Sequence, residues 1–183
     1  PALAEQRMQQ YISSYQLSEY DSAVLTEEKV FADYFEEIIR HTNNYKAAAN
    51  WMLGPVKTWM NEEAKEIDSF PLQPVKIAEL IGLVDNGKVS FSVAAGKLFQ
   101  HLLKEPLANP GQLAGQLNLL QESDASAIEP IVDKVLEKLA DKVAEYKKGK
   151  KGLLALFVGE VMKQSKGKAD PKLTNQLLLE KLK

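Results

Sequence analysis

No cysteine occurs in this 183-residue chain, so it has neither a disulfide framework nor a thiolate for nucleophilic catalysis or zinc ligation. No apolar run approaches the 18 or so residues that a membrane helix requires, and no signal-peptide pattern is present. The expectation is a soluble, cytoplasmic protein with no membrane partner. Histidine is scarce: His41 and His101 stand alone near helix ends, without the paired spacing of a metal site, so each reads as a structural residue. The segment GKKG at 149–152 lacks the rest of a phosphate-binding loop. DNGKVSFS resembles part of a calcium loop, but with Gly87 at its sixth position Gly82 and Val84 occupy acidic-ligand places and Val93 that of the bidentate glutamate. Glu36-Glu37, Glu62-Glu63 and Asp85 sit on polar faces without a histidine, serine or cysteine partner, and no nucleophile elbow occurs. Neither a catalytic nor a metal residue is expected.

What the chain does have is helical periodicity and an uneven charge. Its composition, 45% hydrophobic and 26% charged, is that of a globular protein. It starts at Pro1 and runs directly into ALAEQRMQQYISSYQ, the pattern of a piece of a longer polypeptide. In EEKVFADYFEEIIRH the apolar positions Val30, Phe31, Tyr34, Phe35, Ile38 and Ile39 recur at three and four, with Thr26 placed as N-cap. Asn43 or Asn44 caps YKAAANWMLGPVKTWMNEE, which Gly54-Pro55 should bend. Pro74 starts PVKIAELIGLVDNG and Asn86-Gly87 stops it; Ser90 opens SFSVAAGKLFQHLLKEP. No alternating segment suggests a strand. The fold class is therefore all-α, and the weakly periodic, proline- and glycine-bearing stretch 106–126 marks a boundary. Residues 1–108 are expected as a bundle of about four helices, and residues 109–183 as a small three-helix domain, with AIEPIVDKVLEKLADKVAEY, GLLALFVGEVMKQSK and PKLTNQLLLEKL as its helices.

The net charge of −2 conceals an asymmetry. Residues 1–110 carry 10 Lys+Arg against 15 Asp+Glu, whereas residues 111–183 carry 13 against 10. Within 147–172 eight lysines (Lys147, Lys148, Lys150, Lys151, Lys163, Lys166, Lys168 and Lys172) face only Glu160 and Asp170. Leu153, Leu154, Phe157, Val158, Val161 and Met162 fall at core spacing between the two lysine groups. Gly159 interrupts that helix at a cost of about 1 kcal/mol relative to alanine, and with Gly152 and Ala155 it leaves one side with little bulk. A concentration of like charge beside a low-profile surface fits a solvated face or an anionic partner.

These residues also carry a resemblance. NYKAAANWMLGPVKTWMNE, LIGLVDNGKVSFSVAAGKLFQHL and above all YKKGKKGLLALFVGEVMKQSKGKADPKLTNQLL resemble the C-terminal half of the B-subunit family of the bacterial aspartyl/glutamyl-tRNA amidotransferase, including its YqeY-like tail. QQYISSYQLSEYDSAVLTEEKVFADYFEE is similar to the linker into that half. The resemblance covers almost the whole chain and is most specific at FVGEVMKQSKGKADPKL. It implies a heterotrimeric ligase that converts Glu-tRNA(Gln) or Asp-tRNA(Asn) to the correct aminoacyl-tRNA, with ammonia from glutamine supplied by an A subunit, a small C subunit alongside, and a synthetase as a further partner. It places ATP and Mg2+ in an N-terminal cradle that nothing in these residues matches, so no cofactor is expected here. It implies that the tail contacts the tRNA elbow. The eight lysines would supply the charge and Gly149, Gly152, Gly159 and Gly167 the close approach, for recognition of folded shape rather than stacked single strands. The alternative is a protein-docking or spacer module whose lysines are merely solvated.

Overall fold

The computed structural model describes residues 2–122 and 125–183; Pro1 and positions 123–124 of the expected linker lie outside the described residues. Helix is the only regular structure among the described residues apart from a single bridge between Glu122 and Ala169, so the fold is all-α. The chain divides into two compact units, the first comprising residues up to Asn86 together with Phe91–Leu117, the second Gly87–Ser90 with Asn118–Lys183.

The first unit contains helices α1 (Ala2–Tyr15), α2 (Glu19–Thr26), α3 (Lys29–Ile39), α4 (Tyr45–Trp51), α5 (Lys57–Glu63), α6 (Pro74–Asp85), α7 (Phe91–Val93), α8 (Phe99–Lys104) and α9 (Pro110–Gln116). More segments appear than the four expected, partly because two runs are interrupted without being broken. Met52–Val56 joins α4 to α5 and Ala94–Leu98 joins α7 to α8, each as one π-helical turn. At Pro55 the wider turn is the form the expected bend takes, since proline has no amide to give and its ring crowds the preceding turn. Asn44 caps α4 by accepting from the Ala47 amide at 3.1 Å. Thr26 does not cap α3: its buried hydroxyl donates back to the Ser22 carbonyl at 2.7 Å within α2. Phe31, Phe35 and Ile38 of α3 are buried as the periodicity requires, while Val30 is exposed.

Rings fill the centre. Trp51 lies 5.7 Å from Phe99, and Phe70 contacts Trp59 at 5.1 Å and Tyr34 at 5.8 Å between ring centroids. Helix α1 is held on α3 by Tyr11, whose hydroxyl donates to Glu36 at 2.8 Å, and by Arg7, which pairs with both Asp33 and Glu36. The expected boundary after residue 108 falls instead after Leu117, because Asn109 caps a further helix, α9, whose Leu113 and Ala114 are buried in this unit.

The second unit contains α10 (Ala125–Lys138), α11 (Ala140–Lys147), α12 (Leu153–Gln164) and α13 (Pro171–Lys181). Four helices stand where three were expected, since AIEPIVDKVLEKLADKVAEY departs from helical geometry at Leu139 (φ −108°, ψ 34°). Ile128, Val132, Val135, Tyr146, Phe157, Val161, Leu177, Leu178 and Leu182 form one buried cluster drawn from all four helices. Around it, Glu122 exchanges backbone hydrogen bonds with the loop after α12, its amide donating to the Lys168 carbonyl and its carbonyl accepting from the Asp170 amide at 2.9 Å. The Gln121 amide donates to the Lys88 carbonyl at 2.6 Å. That pairing is how residues 87–90 join a unit otherwise built from residues after 117.

Candidate nucleic-acid interface

Helix α12 organises the basic residues. Its inner face is set by Phe157 and Val161, fully buried, with Leu153, Leu154, Val158 and Met162 packed against the same core. The opposite face is Gly152, Ala155, Leu156, Gly159 and Lys163, all exposed. Those positions recur at three and four, so they share one side of the helix. An added Cβ at Gly152 or Gly159 would meet nothing within 4 Å. Packing among the described residues therefore does not require Gly159, although it costs helix stability. That side faces solvent, and between Gly152 and Lys163 only Leu156 gives it bulk.

At the N-terminal end of α12 sit Lys147, the last residue of α11, and the loop carrying Lys148, Lys150 and Lys151. Gly149 has φ +116°, a conformation that side-chain-bearing residues avoid, so its first requirement is the turn itself. The loop is fixed rather than loose. Lys150 pairs with Glu145 at 2.9 Å, Lys142 pairs with the same carboxylate at 3.3 Å, and Lys151 rests 4.1 Å from the centroid of the Tyr146 ring. Lys150 first and Lys142 second hold the Glu145 carboxyl below the usual carboxylate range. Lys147 and Lys148 are exposed and make no ion pair among the described residues.

The C-terminal end carries Lys163, Lys166, Lys168 and Lys172. The chain turns through two successive left-handed residues, Lys166 (φ 56°) and Gly167 (φ 78°), and the Gly167 amide closes the helix on the Met162 carbonyl at 2.8 Å. Asp170 then caps α13 through the Lys172 and Leu173 amides, with Pro171 in the first turn. Lys168 is half-buried, its Nζ donating to Asn118 at 2.6 Å. Lys163, Lys166 and Lys172 are exposed without an ion pair among the described residues. The eight lysines thus form two groups, one at each end of a helix about 17 Å long, with the uncharged face between them.

Two residues outside the expected set shape this surface. Glu160, the one carboxylate within α12, is drawn to Lys138 of α10 at 2.9 Å. Lys138, then Gln164 and Lys163, hold its carboxyl below the usual range. Glu145 does the corresponding work at the other end by tethering Lys150. The role of Glu160 does not follow from periodicity, since Lys138 and Glu160 are 22 positions apart and meet only because α10 packs on α12, whereas Glu145 pairs with Lys142 three residues before it and Lys150 five after it. Among the described residues no group of three or more His, Asp or Glu side chains is arranged to hold a metal ion, and no helix is long and apolar enough to cross a membrane.

A protein of this class is helical throughout, with an acidic first unit and a small second unit that displays lysines at both ends of one helix. A family model described as the GatB domain (GatB_Yqey) matches residues 33–182, and the chain belongs to that family. It is 40% identical over 185 residues to the B subunit of the aspartyl/glutamyl-tRNA(Asn/Gln) amidotransferase of Trichlorobacter lovleyi, covering 100% of this chain and 38% of the relative. The protein of the same name from Geotalea daltonii is 40% identical over 182 residues, with 100% and 38% covered. That of Synechococcus sp. is 39% identical over 186 residues, with 100% and 37% covered. The chain spans well under half the length of these curated relatives.

Proposed function

We propose that these residues are the tRNA-gripping, non-catalytic part of the B subunit of a glutamine- and ATP-dependent amidotransferase that forms Gln-tRNA(Gln) or Asn-tRNA(Asn). One observation carries the reading: a helix with exposed lysines at both ends that make no ion pair among the described residues, and between them an uncharged exposed face containing Gly159, where an added Cβ would meet nothing within 4 Å. Support comes from the relatives, whose names specify the B subunit of a tRNA(Asn/Gln) amidotransferase. In this reading the second unit contacts the folded elbow of tRNA. Phosphates meet Lys147, Lys148, Lys163, Lys166 and Lys172, while the α12 backbone lies close to sugar edges, a mode that reads shape and charge rather than bases. ATP and Mg2+ chemistry belongs to the part of the protein that residues 1–183 do not span, and the amidase and small subunits join through the whole complex in the cytoplasm.

Salt dependence tests the reading. If Z lysine–phosphate contacts form, the logarithm of tRNA affinity falls against the logarithm of salt with a slope of roughly −0.7Z to −0.9Z. Lys163→Glu, Lys166→Glu and Lys172→Glu together flatten that slope and abolish binding at physiological salt. Unchanged tRNA binding and transamidation in the whole complex carrying the triple variant assigns the module to protein docking or spacing instead. That second reading draws on the first unit, where exposed Glu27, Glu28, Glu62, Glu63 and Glu66 make a poor surface for RNA.

A further inference from the structure

We infer that Lys138, which lies outside the basic run, is a positioning residue for the RNA-facing side of α12: by pairing with Glu160 it draws the one carboxylate of that helix aside and offsets its negative charge. The inference rests on the tRNA-binding reading above and adds to it a residue that acts through another.

Glu160 is placed where an ionised carboxylate does most harm. It follows Gly159 directly, lies one turn after exposed Leu156 and precedes Lys163 by three residues, so it borders the low-profile face. A phosphate brought to Lys163 or to the backbone at Gly159 arrives within one helical turn of it. Such a separation is shorter than the Debye length of about 8 Å at physiological ionic strength, so salt does not hide the repulsion. The structure answers this geometrically. Lys138 stands in the last turn of α10, its Nζ 2.9 Å from Glu160 Oε1, and the carboxylate side chain retains 19% of its exposure while the lysine retains 61%. The carboxylate is folded down toward α10 and its charge is matched there, whereas Lys163, the cation nearest in sequence, makes no ion pair among the described residues and remains available.

A solvent-exposed pair of this kind contributes little to folding, so its function is separable from stability. If Lys138 acts by masking Glu160, the two residues couple in binding: removing the lysine matters only while the carboxylate is present.

The test uses the 183-residue chain and an in vitro transcribed tRNA(Gln) or tRNA(Asn), with affinity measured at low salt and at about 0.15 M salt. Lys138→Ala, Glu160→Gln and the double variant are compared, and Lys138→Met keeps the aliphatic stem should the alanine variant melt early. The expected result is a roughly fivefold loss of affinity for Lys138→Ala at low salt, about one unit-charge interaction at contact distance in water. In the Glu160→Gln background the same change costs less than about twofold, with all variants melting together. Equal losses in both backgrounds overturn the inference, because Lys138 would then be contacting phosphate itself. It is also overturned if Lys138→Ala binds normally while reversal of Lys163, Lys166 and Lys172 abolishes binding, an outcome that leaves the tRNA-binding reading intact. Absence of any salt-dependent binding by the unaltered chain removes both.

Discussion

The two units solve different problems with different side chains. The first is built around large rings: Trp51, Tyr11 and Phe35 are essentially inaccessible, and Phe70 and Phe99 extend the cluster. Its charges are largely self-contained, as in the Arg7, Asp33 and Glu36 group that fastens α1 to α3. The second unit has one ring fully buried, Phe157, with Tyr146 edge-on to it at 6.1 Å, and the rest of its core is aliphatic. Around that small core it holds eight lysines within 26 residues. A unit of roughly 70 residues rarely has more than 3–5 kcal/mol of stability to spare. The comparison teaches that the robust unit presents little of use to a polyanion, while the surface that could hold one rests on the thinner core.

The sharpest way to break that comparison is to remove one ring from each unit. Phe157→Ala and Phe35→Ala each delete a fully buried phenyl, at a cost of about 3–5 kcal/mol. In the second unit that equals the whole reserve, so Phe157→Ala should abolish amide-exchange protection across α10 to α13 while α3 and α4 stay protected. Phe35→Ala should lower the unfolding midpoint of the first unit without erasing it. Simultaneous loss of protection in both units after Phe157→Ala would show that they unfold as one body and that the contrast in reserve has no consequence.

A smaller effect runs in the stabilising direction. Thr174 of α13 is completely buried and its hydroxyl finds no partner among the described residues. Desolvating such a group costs about 1–3 kcal/mol, so Thr174→Val, which keeps the shape, should stabilise by about 1 kcal/mol and raise the melting temperature of this unit by roughly 4–8 °C. Ser22 presents the same situation in α2. Ser22→Ala should give a smaller rise because the first unit is larger. Equal shifts, followed by calorimetry, would show that the difference in size does not set the response.

How much of this is legible in the sequence depends on which physical signal each feature leaves. The all-helical class is legible because apolar residues recur at three and four through Phe31, Phe35 and Ile38 and again through Phe157 and Val161. The stops at Gly87 and Gly167 are legible because only glycine takes positive φ without strain. The break at Leu139 is not, since neither glycine nor proline marks it and the apolar spacing continues from Val135 to Val143 as though one helix ran through. The boundary after Leu117 escapes a sequence reading because Pro110 and Gly111 look like breakers, whereas Asn109-Pro110 is a cap followed by a first-turn proline, the same device as Asp170-Pro171. The eight lysines and their division between the two ends of α12 are legible, because the core-spaced run from Leu153 to Met162 separates them, and Glu145 pairs with Lys142 and Lys150 close by in sequence; only the pairing of Glu160 with Lys138, 22 positions away, depends on a tertiary contact that no local pattern encodes.

The smallest expected change is the most discriminating, because stability and binding should move in opposite directions. Gly159→Ala adds one methyl to an exposed helix position where a Cβ meets nothing within 4 Å, and helix propensity alone should stabilise the second unit by about 0.5–1 kcal/mol. If the face is merely solvated, nothing else changes. If a sugar–phosphate backbone lies against it, the methyl holds the RNA away and weakens the approach of Lys163, so affinity falls while the melting temperature rises. Gly152→Ala, at the start of the same exposed side, serves as a graded control. A Gly159→Ala protein that is more stable and binds tRNA unchanged would confine the interface to the lysine-bearing ends and leave the glycine without a role in contact.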